Sequence, residues 1–541
     1  MSKQFSPEDV EACLRVLEAV SERRSHLLDI PEEIRERLLQ LAGLVNHPDR
    51  LELRQMARAR RRRDKHERRE HDALIVNATA MRQVRQLPVY VALPGVPGAD
   101  VPRLAALPAA SIDAPVEAHE HGEHAHAPPP GQAVPDLKEP RSCYVCKVEF
   151  RKVHFFYDSM CPACAELNYK KRTQSARLDG KVALITGGRL KIGYQAALLM
   201  LRAGATVVVT TRFAHDAALR FAREPDYADF APRLRLHGID LRHSPSVELF
   251  AHYLSDTLPR LDLLVHNAAQ TVRRPTGFYS HLIESEESPL AELPAAVRPV
   301  LAAHDELQRM LRSGSMALPG GGAGAANALM TWQGRQVGAG LLSPARLSQA
   351  PVTPEDVEAG AEVFPMGRVD QDLQQVDLRR MNSWRMTLAD VGTPELLEVH
   401  LVNAIAPFIL TRSLKPLMMR DRTDEKHVVN VSAMEASFSR KKKTDKHPHT
   451  NMAKAALNML TRTSAADYAD DGIWMNSVDT GWVTDEDPLH HVERKQKEHD
   501  FFPPLDVVDG AARVCDPFFS GLLTGVHEWG KFFKDYKPTG W

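Results

Sequence analysis

The sequence predicts an α/β domain with parallel strands, preceded by helices and by a small cysteine-containing module. Lys181–Gly204 contains a short apolar run, a glycine turn and a helical periodicity, and Thr206–Thr211 adds a second apolar run. Further apolar runs follow with helical patterns between them, and two Cys-x-x-Cys pairs lie just before this region. A strand, a glycine turn and a helix N-terminus suit a pyrophosphate, because backbone N–H groups converge there. The alternative is an ordinary strand–helix–strand unit without a nucleotide, and further motifs in residues 178–541 make this alternative less favoured.

Length and charge limit the possible classes of protein. A chain of 541 residues is long enough for two or three folded units. A formal net charge of -1 gives no overall attraction to nucleic acid or membranes. No apolar stretch approaches the roughly 20 residues of a membrane span, and the start lacks a signal-peptide core, so we expect a cytoplasmic protein. Six cysteines in a chain of this length do not indicate a disulfide framework.

Residues 1–86 are predicted to form a helical region. Ser6 is followed by Pro7 and two acidic residues, which is typical of a helix start. The arginine-rich run Arg58–Arg63 has two interpretations. It contacts the phosphates of a nucleic acid or an acidic partner, or it belongs to a solvated helix whose own acidic residues partly neutralise it. We favour the solvated helix.

Residues 87–140 are rich in proline, alanine and histidine and lack periodicity, so we predict a linker. The linker contains the tract HEHGEHAH, whose histidines are His119, His121, His124 and His126. This tract is able to bind a metal weakly, but ordering a flexible polar segment costs conformational entropy. We therefore favour a linker without a metal role.

Residues 141–170 are predicted to form a four-cysteine zinc module. The expected zinc ligands are Cys143, Cys146, Cys161 and Cys164. Four thiolates suit a closed structural zinc site, whereas the redox interpretation of one Cys-x-x-Cys pair leaves the second pair unexplained. The module resembles a zinc ribbon, and with His154 it is also similar to one half of a RING-type finger. Metal would supply its folding energy, and we expect it to dock a protein partner.

Residues 178–541 are predicted to form the α/β domain. Its later strands are expected at Leu234–Ile239, Leu261–His266, Val428–Ser432 and Trp474–Val478. Long helices are expected at Leu388–Leu417 and Met452–Tyr468. A segment at about 277–381 interrupts this order and contains the flexible tract LPGGGAGAANAL. Because a structureless loop of this length is uncommon inside a domain, we interpret the segment as an insertion that serves as a lid or docking element.

Several separated motifs of this domain resemble the short-chain dehydrogenases/reductases (SDRs). LDGKVALITGG is similar to the family's first strand and turn, HNAA to its NNAG, and NMAKAALNML to its lysine helix. Asn403 lies where the family has the asparagine of its fourth helix, and NSVDTGWVTDE is similar to the segment that closes on the nicotinamide. The resemblance implies a doubly wound parallel sheet of the Rossmann type.

The resemblance also implies which residues contact a dinucleotide. The expected cofactor-binding residues are Thr186, Gly187, Arg189, Lys191, Ile192, Gly193, Arg212, Asp240, Leu241, Asn267, Ala268, Lys454, Gly481 and Val483. Lys191 occupies a position where the extended family motif TGxxxGxG has glycine. The second strand ends with Arg212 and not with the acid that binds the ribose of NAD, and an arginine suits a 2′-phosphate. We therefore expect NADP(H), with NAD as the alternative.

The catalytic positions depart from the family pattern. The family uses a tyrosine four residues before the helix lysine, but here Thr450 precedes Lys454, and Ala433 occupies the family's serine position. A threonine hydroxyl has too high a pKa to replace that tyrosine. The expected catalytic residues are Asn403, Ser432 and Lys454, with Thr450, His447 and His449 as further candidates. Either histidine has an unperturbed pKa suitable for proton transfer.

Two functions remain open from the sequence. The first is an NADP(H)-dependent oxidoreductase with an unusual proton donor, because hydride transfer is the chemistry of the cofactor. The second is a nucleotide-binding scaffold without turnover that docks a protein partner through its zinc module or its N-terminal helices. Asn403 and Lys454 favour the first function, and the missing tyrosine favours the second. Nucleic-acid binding is not expected, since no basic and aromatic pattern supports it; a homo-oligomer is expected, and no substrate is indicated.

Overall fold

A computed structural model of the chain describes residues 5–47, 49–85, 91–92, 136–313, 338–353, 356, 362–365, 367–370, 374–440 and 443–541. The chain divides into two compact units, Met1–Leu74 and Ile75–Trp541. Within the described ranges, no helix combines the length and the apolar character needed to cross a membrane. The HEHGEHAH tract and the LPGGGAGAANAL tract both lie outside the described residues.

The first unit consists of helices. They are α1 (Pro7–Glu22), a 3₁₀ turn at Arg24–Asp29, α2 (Glu32–Asn46) and α3 (Arg50–Asn77). Helix α1 begins at the capping sequence: the Asp9 N–H donates to the Ser6 hydroxyl at 3.1 Å, and the Ser6 N–H donates to the Asp9 carboxylate at 3.1 Å. The arginine-rich run is exposed along α3, where Arg63 lies 3.6 Å from Glu67 one turn later. This is the arrangement of a solvated charged helix.

The second unit begins with the cysteine module. Its elements are helix α4 (Ala80–Arg85), the antiparallel strands β2 (Arg141–Ser142) and β3 (Glu149–Phe150), and helix α5 (Pro162–Arg172). Strand β1 (Val91–Ala92) lies between α4 and β2 and pairs antiparallel with Arg368–Val369. Of the segment predicted as a linker, the structure describes residues 91–92 and 136–140, and the first two of these form a strand that is too short to show a sequence period.

An eight-stranded sheet forms the centre of the second unit. Its strands are β4 (Val182–Thr186), β5 (Thr206–Thr211), β6 (Leu234–Gly238), β7 (Leu263–His266), β9 (Lys426–Ser432), β10 (Ile473–Asp479), β11 (Phe532–Lys534) and β12 (Lys537–Thr539), whereas β8 (Arg368–Val369) lies outside it. The order across the sheet is β12-β11-β10-β9-β7-β4-β5-β6. Every neighbouring pair is parallel except β11 and β12. Strand order reverses between β4 and β7, which creates a crevice at their carboxyl ends.

Helices cover both faces of this sheet, so the domain is a doubly wound Rossmann fold. The helices are α6 (Lys191–Arg202), α7 (Ala214–Phe221), α8 (Tyr227–Phe230), α9 (Ser244–Thr257), α10 (Ser280–Glu287), α11 (Arg298–Ser313), α12 (Ala339–Leu342), α13 (Pro344–Ser348), α14 (Thr393–His400), α15 (Ala406–Met419), α16 (Pro448–Ala469), α17 (Leu489–His499) and α18 (Val507–Thr524). Short 3₁₀ turns lie at Ala231–Arg233, Thr276–Tyr279, Leu290–Glu292, Ala295–Val297, Ser383–Arg385 and Met434–Ala436. One apolar core includes Leu198 of α6 and Phe518 of α18, and a second core includes Phe250 of α9 and Leu414 of α15. Strand β4 is buried along its whole length between the two cores, which explains its continuous apolar sequence.

The described parts of the insertion contact the domain at several places. Helix α11 packs against β6, the edge strand of the sheet, and α10 packs against α7. In the segment after β7, Arg273 forms an ion pair with Asp356 at 2.5 Å, and Arg274 forms one with Asp377. The insertion thereby reaches the carboxyl ends of the strands.

Several elements differ from the expectation, and two of these differences have a clear physical reason. The helix expected at Leu388–Leu417 begins at Thr393 and is divided by a π-helical turn at Leu401–Ile405. Pro394 marks its start, because proline is favoured in the first helical turn. The hairpin of β11 and β12 was not expected, since its turn residues Asp535 (φ 48°) and Tyr536 (φ 65°) have left-handed backbones without the usual Asn-Gly or Asp-Gly signature.

Candidate functional site

A cavity of about 980 Å³ lies at the carboxyl ends of the parallel strands. Residues at or directly after the ends of β4, β5, β6, β7, β9 and β10 line it. In doubly wound sheets, ligands bind in the crevice outside these ends, where strand order reverses. This cavity is therefore the candidate site.

The glycine turn after β4 brings two backbone segments unusually close together. A Cβ on Gly193 would lie 2.2 Å from Asn267 Nδ2 and 2.3 Å from the carbonyl oxygen of Gly187. Gly187 itself has a left-handed φ of 71°, and a Cβ there would lie 2.8 Å from the Cα of Ala268. Helix α6 begins beside this turn, and its N-cap residue, Leu190, has no side-chain acceptor for the first N–H groups. The turn and the uncapped helix fit a pyrophosphate.

Lys191, at the position of the family's glycine, also has a left-handed backbone. Its φ is 54°, a conformation that costs an L-residue roughly 1–2 kcal/mol. Its Nζ lies 3.7 Å from the carboxylate of Glu486. Lys191 and Arg274 lower the pKa of Glu486 against the opposing effect of burial. The ion pair connects the glycine turn to Thr480–Glu486, which we call the closing segment.

The end of β5 presents Arg212 to the cavity. Its Nη2 donates a hydrogen bond to the Tyr279 hydroxyl at 3.0 Å, and its guanidinium lies 4.8 Å from the centre of that ring. Arg189 also lines the cavity and pairs with Asp216 at 2.7 Å. In the described part of the chain, no carboxylate lies within ion-pair distance of Arg212. Arg212 thus lines the cavity without an ion-pair partner among the described residues, and its charge acts at longer range on Asp240, whose pKa it helps to lower.

Asp240 follows β6 and is held by Arg242. The Arg242 Nη2 donates to the Asp240 carboxylate at 2.7 Å, and Nη1 of the same guanidinium donates to Glu398 at 2.8 Å. Burial alone would raise the pKa of Asp240, but the guanidinium of Arg242 lowers it overall. Asp240 is therefore an ionised, fixed acceptor at this end of the cavity.

Asn267 and Thr186 hold the glycine turn in place. Asn267 Nδ2 donates to the carbonyl oxygens of Thr186 at 3.1 Å and of Gly187 at 3.0 Å. The Thr186 hydroxyl accepts the N–H of Ala268 at 3.0 Å from behind the cavity wall. The turn is thus braced by the segment that follows β7.

The opposite end of the cavity contains Lys454 and Ser432. Lys454 Nζ donates to the carbonyl oxygen of Val431 at 2.6 Å, and burial lowers the pKa of Lys454 to about 8. The buried hydroxyl of Ser432 has no hydrogen-bond partner among the described residues. An unpartnered buried hydroxyl is unfavourable by roughly 1–3 kcal/mol, and this one is able to form a hydrogen bond with a ligand in the cavity that it lines.

The two candidate histidines occupy different places. His447 lines the cavity, with a left-handed φ of 40°, and its ring stacks on Trp384 at 4.0 Å between centroids. His449 is buried outside the cavity lining, 3.7 Å from Glu395. Thr450 also lies outside the lining, and its hydroxyl is 3.5 Å from the carbonyl oxygen of Thr271. Of these three residues, only His447 lines the cavity.

Most of the residues expected at a cofactor line this one cavity. They are Gly187, Arg189, Lys191, Ile192, Gly193, Arg212, Asp240, Leu241, Asn267, Ala268, Lys454, Gly481 and Val483, and Thr186 lies behind them. Of the catalytic candidates, Ser432, His447 and Lys454 line the cavity, whereas Asn403, Thr450 and His449 do not. The Asn403 amide instead makes both of its hydrogen bonds to the backbone of Gln270, at 2.7 and 3.0 Å.

Two family models match the chain on either side of the insertion. Residues 181–285 match the short chain dehydrogenase model, and residues 374–500 match the enoyl-(acyl carrier protein) reductase model of the same group. The chain belongs to the short-chain dehydrogenase/reductase family. It is an SDR oxidoreductase-like protein with an insertion between the two matched parts.

Curated proteins from two organisms are similar to this SDR protein. An uncharacterized protein of Acanthamoeba polyphaga mimivirus is 30% identical over 401 residues, which cover 72% of this chain and 73% of the relative. The short-chain dehydrogenase/reductase pyiH of Pyricularia grisea is 32% identical over 144 residues, which cover 25% of this chain and 54% of the relative.

Solved SDR structures resemble the chain more remotely. RhlG of Pseudomonas aeruginosa, in an NADP complex, is 16% identical to this chain. The match covers 66% of this chain and 95% of the RhlG chain, with a TM-score of 0.39. The NADPH-bound carbonyl reductase from chicken fatty liver is 15% identical to this chain. The match covers 68% of this chain and 100% of the reductase chain, with a TM-score of 0.37.

The sequence did not indicate several residues that line the SDR cavity. Tyr144 and Lys147 come from the cysteine module, and Trp384 and Tyr279 come from segments between the family motifs. At the cavity, the Tyr144 hydroxyl accepts a hydrogen bond from the N–H of Trp482, a residue 338 positions later in the sequence. No local pattern reports such a contact, because it depends on how two parts of the fold pack together. The adjacent arginines after β7 were a possible signal for Arg274, which also lines the cavity.

The four cysteines of the two Cys-x-x-Cys motifs form one cluster of free thiols in the SDR protein. All four Sγ atoms lie within 4.8 Å of one another, and Cys146 Sγ is 3.7 Å from Cys161 Sγ. Zinc–sulfur bonds of about 2.3 Å in a tetrahedron place sulfurs about 3.8 Å apart. The Cys161 N–H donates to Cys143 Sγ at 3.3 Å, and such backbone bonds lower the pKa of Cys143 to about 7 against the effect of burial. The donor set and its spacing fit a zinc ion.

Proposed function

We propose that this SDR protein binds NADP(H) and catalyses hydride transfer between the cofactor and a carbonyl or alcohol substrate. The observation that carries the proposal is the single cavity lined by the glycine turn, Arg212 and Lys454. When bound, the cofactor supplies or accepts the hydride. The residues of the chain bind and orient the two reactants and move a proton.

Cofactor selection follows from charge. Gly187, Gly193 and the first N–H groups of α6 provide the close approach and the donors that a pyrophosphate needs. Arg212 has no carboxylate partner in the described part of the chain, and it stands where NAD-selective sites have an acid. A 2′-phosphate offers the guanidinium a charged acceptor. We therefore assign NADP(H) in preference to NAD.

Three lining residues serve the chemistry. Lys454, whose pKa is lowered by burial, donates to the cofactor ribose and supplies positive charge beside the reacting atoms. The unpartnered hydroxyl of Ser432 donates to the substrate oxygen. His447 replaces the missing tyrosine as the group that exchanges a proton with that oxygen, because its ring lines the cavity and Thr450 does not.

The ionisation of His447 sets a direction for the pH dependence. Burial lowers the pKa of His447 from its ordinary value of 6.5, so the ring is neutral at pH 7 and accepts a proton. Alcohol oxidation should increase as pH rises through this pKa, because the neutral base becomes populated. Carbonyl reduction should decrease over the same range, because the acid is lost.

A binding titration and a turnover assay test the proposal. NADPH and NADH are titrated by nicotinamide fluorescence, and cofactor oxidation is followed over a panel of aldehydes and ketones. His447→Gln should lower kcat by on the order of 100-fold with NADPH affinity unchanged. Thr450→Val, which removes a hydroxyl outside the cavity lining, should keep kcat within about twofold. Loss of turnover in Thr450→Val, with His447→Gln unaffected, would contradict the assignment.

A nucleotide-binding scaffold without turnover is the second candidate function. Thr450 and Ala433 stand where the family has its tyrosine and serine, and this departure favours it. Tight NADPH binding with no oxidation over the carbonyl panel would support the scaffold and refute the enzyme. No binding of either nucleotide would contradict both. A protein partner for the cysteine module or the N-terminal helices, and a homo-oligomer, stay predictions.

We also propose that Cys143, Cys146, Cys161 and Cys164 bind one structural zinc ion. The module has a small apolar core, so metal would supply much of its folding free energy. Elemental analysis should find about one zinc per chain. Cys146→Ser should lose this zinc, whereas Cys13→Ser, at an exposed thiol outside the cluster, should retain it. Purified protein with well below one zinc per chain would contradict the site.

A further inference from the structure

The turn between the first two cysteines forms part of the nucleotide cavity. Tyr144 lies between Cys143 and Cys146 and lines the cavity. Its hydroxyl accepts the backbone N–H of Trp482, in the closing segment, at 2.9 Å. A Cβ on Gly481 would lie only 3.1 Å from the Tyr144 hydroxyl, so the glycine permits this approach.

The cysteine cluster fixes the position of this tyrosine. The Tyr144 N–H donates to the carbonyl oxygen of Ser159 at 2.8 Å, and the Cys143 N–H donates to that of Val148 at 2.9 Å. The Cys161 N–H donates to Cys143 Sγ at 3.3 Å, which ties the two cysteine pairs together. Tyr144 thus lies next to a clustered cysteine, on a backbone that these hydrogen bonds hold against the second cysteine pair.

One apolar cluster spans the module and the cavity wall. It contains Cys143 and Tyr157 of the module together with Val483 of the closing segment and Leu505, and Ile192 of α6 packs against it. Val483 and Ile192 also line the cavity. A structural change in the module therefore alters the packing of Val483 and Ile192, two residues expected to contact the cofactor.

Buried polar contacts fasten the module to helix α18. Arg172 lies 2.6 Å from Asp506 and 3.1 Å from Asp509, and the Tyr157 hydroxyl donates to the same Asp509. The Arg513 guanidinium, almost fully buried, donates to Asn168 at 2.5 Å. Removing one partner of such buried pairs is strongly destabilising, so the module does not separate easily from the domain.

We propose that the four-cysteine module is a metal-dependent wall of the NADP(H) cavity, in which Tyr144 holds the closing segment over the nicotinamide half of the cofactor. Tyr144 is a positioning residue, because it acts through the backbone of Trp482. Zinc keeps the tyrosine in place, and loss of the metal releases the closing segment and the nucleotide. This inference rests on the NADP(H) binding proposed above.

Variants at one side chain test the positioning role in the full-length, zinc-loaded protein. Tyr144→Ala should weaken NADPH binding about tenfold, and Tyr144→Phe, which loses only the hydroxyl, about threefold to tenfold. Binding of 2′,5′-ADP, which lacks the nicotinamide half, should stay within about twofold in both variants. Tyr169→Phe, in the aromatic cluster of the same module and outside the described cavity lining, is the matched control and should bind NADPH as the parent does. Zinc content and thermal midpoint are measured for each variant.

Removal of the metal is the second arm. Chelation should weaken NADPH binding at least about tenfold, and added zinc chloride should restore it, with the far-ultraviolet circular dichroism of the domain retained. If the metal-free protein unfolds, the Tyr144 variants decide, because they keep their zinc. Zinc-loaded parent protein that binds neither NADPH nor NADH would overturn the proposed function. Parent protein that binds NADPH, with equal affinity after chelation and in Tyr144→Ala, would overturn the inference alone.

Discussion

Gly193→Ala tests the close approach that forms the nucleotide turn. The added methyl group would lie 2.2 Å from Asn267 Nδ2 and 2.3 Å from the carbonyl oxygen of Gly187. Both distances are far below van der Waals contact, and one neighbour is backbone. The glycine turn and the segment after β7 must therefore move apart.

The expected magnitude follows from these contacts. Overpacking a tight site costs about 1–3 kcal/mol. The shift also breaks the two hydrogen bonds of Asn267 to Thr186 and Gly187, each contributing about 0.5–1.5 kcal/mol. The combined penalty of about 2–6 kcal/mol falls on folding and on nucleotide binding. Even the lower limit, placed on binding alone, weakens NADPH affinity about 30-fold.

Fluorescence titration with NADPH and urea unfolding measure the two parts of this penalty. Gly392→Ala is the matched control, because a Cβ there meets only Pro394 Cδ at an ordinary 3.7 Å. This control should bind NADPH as the parent does. If Gly193→Ala retains both the NADPH affinity and the unfolding midpoint of the parent, the reasoning about the turn is refuted.

Two further changes address charge at the site. Arg212→Ala should weaken NADPH binding by about 1.5–3 kcal/mol, or roughly 10- to 150-fold, and should leave the affinity for NADH nearly constant. If titrations show equal losses of affinity for both cofactors, a contact between Arg212 and the 2′-phosphate is contradicted. Lys454→Met tests the pKa of about 8 that burial gives Lys454. Below that pH the folded protein holds a buried charge, and above it the lysine is neutral when folded but still charged when unfolded. Urea unfolding should therefore show the parent gaining about 2 kcal/mol relative to Lys454→Met between about pH 7 and pH 9.5, and a constant difference would contradict the shift.

The sequence predicted the sheet because its strands are buried on both faces. Val182–Thr186 and Thr206–Thr211 are continuous apolar or β-branched runs, and both are strands of the observed sheet. The C-terminal strand β11, only three residues long, gave no comparable signal. The helix expected from Leu388 begins at Thr393, because a glycine and a proline determine its first turn more strongly than the hydrophobic period does.

The residues that line the cavity were predictable where they belong to a local motif. The glycine turn, Asn267 and Lys454 all line the cavity and were all indicated by short matches. The choice between His447 and His449 was not predictable, because two residues on a helix end differ in direction only through the packing around them. His447 stacks on Trp384, whereas His449 turns to Glu395. The position of Tyr144 at the cavity was likewise not predictable from the sequence, because only folding brings its hydrogen-bond partner Trp482 close to it.

The two edges of the sheet restrict how copies of the chain can associate. Strand β12 carries Lys537 and Pro538, a charge and a residue without an N–H donor, which discourage the addition of another strand. The opposite edge, β6, is covered by α11 of the insertion, and a Cβ on Gly238 would lie 2.9 Å from His304 of that helix. Edge-to-edge pairing, the common route of β-proteins to aggregates, is therefore obstructed at both sides. Substitutions that unpack α11 from β6 should expose this edge and increase the tendency of the protein to aggregate.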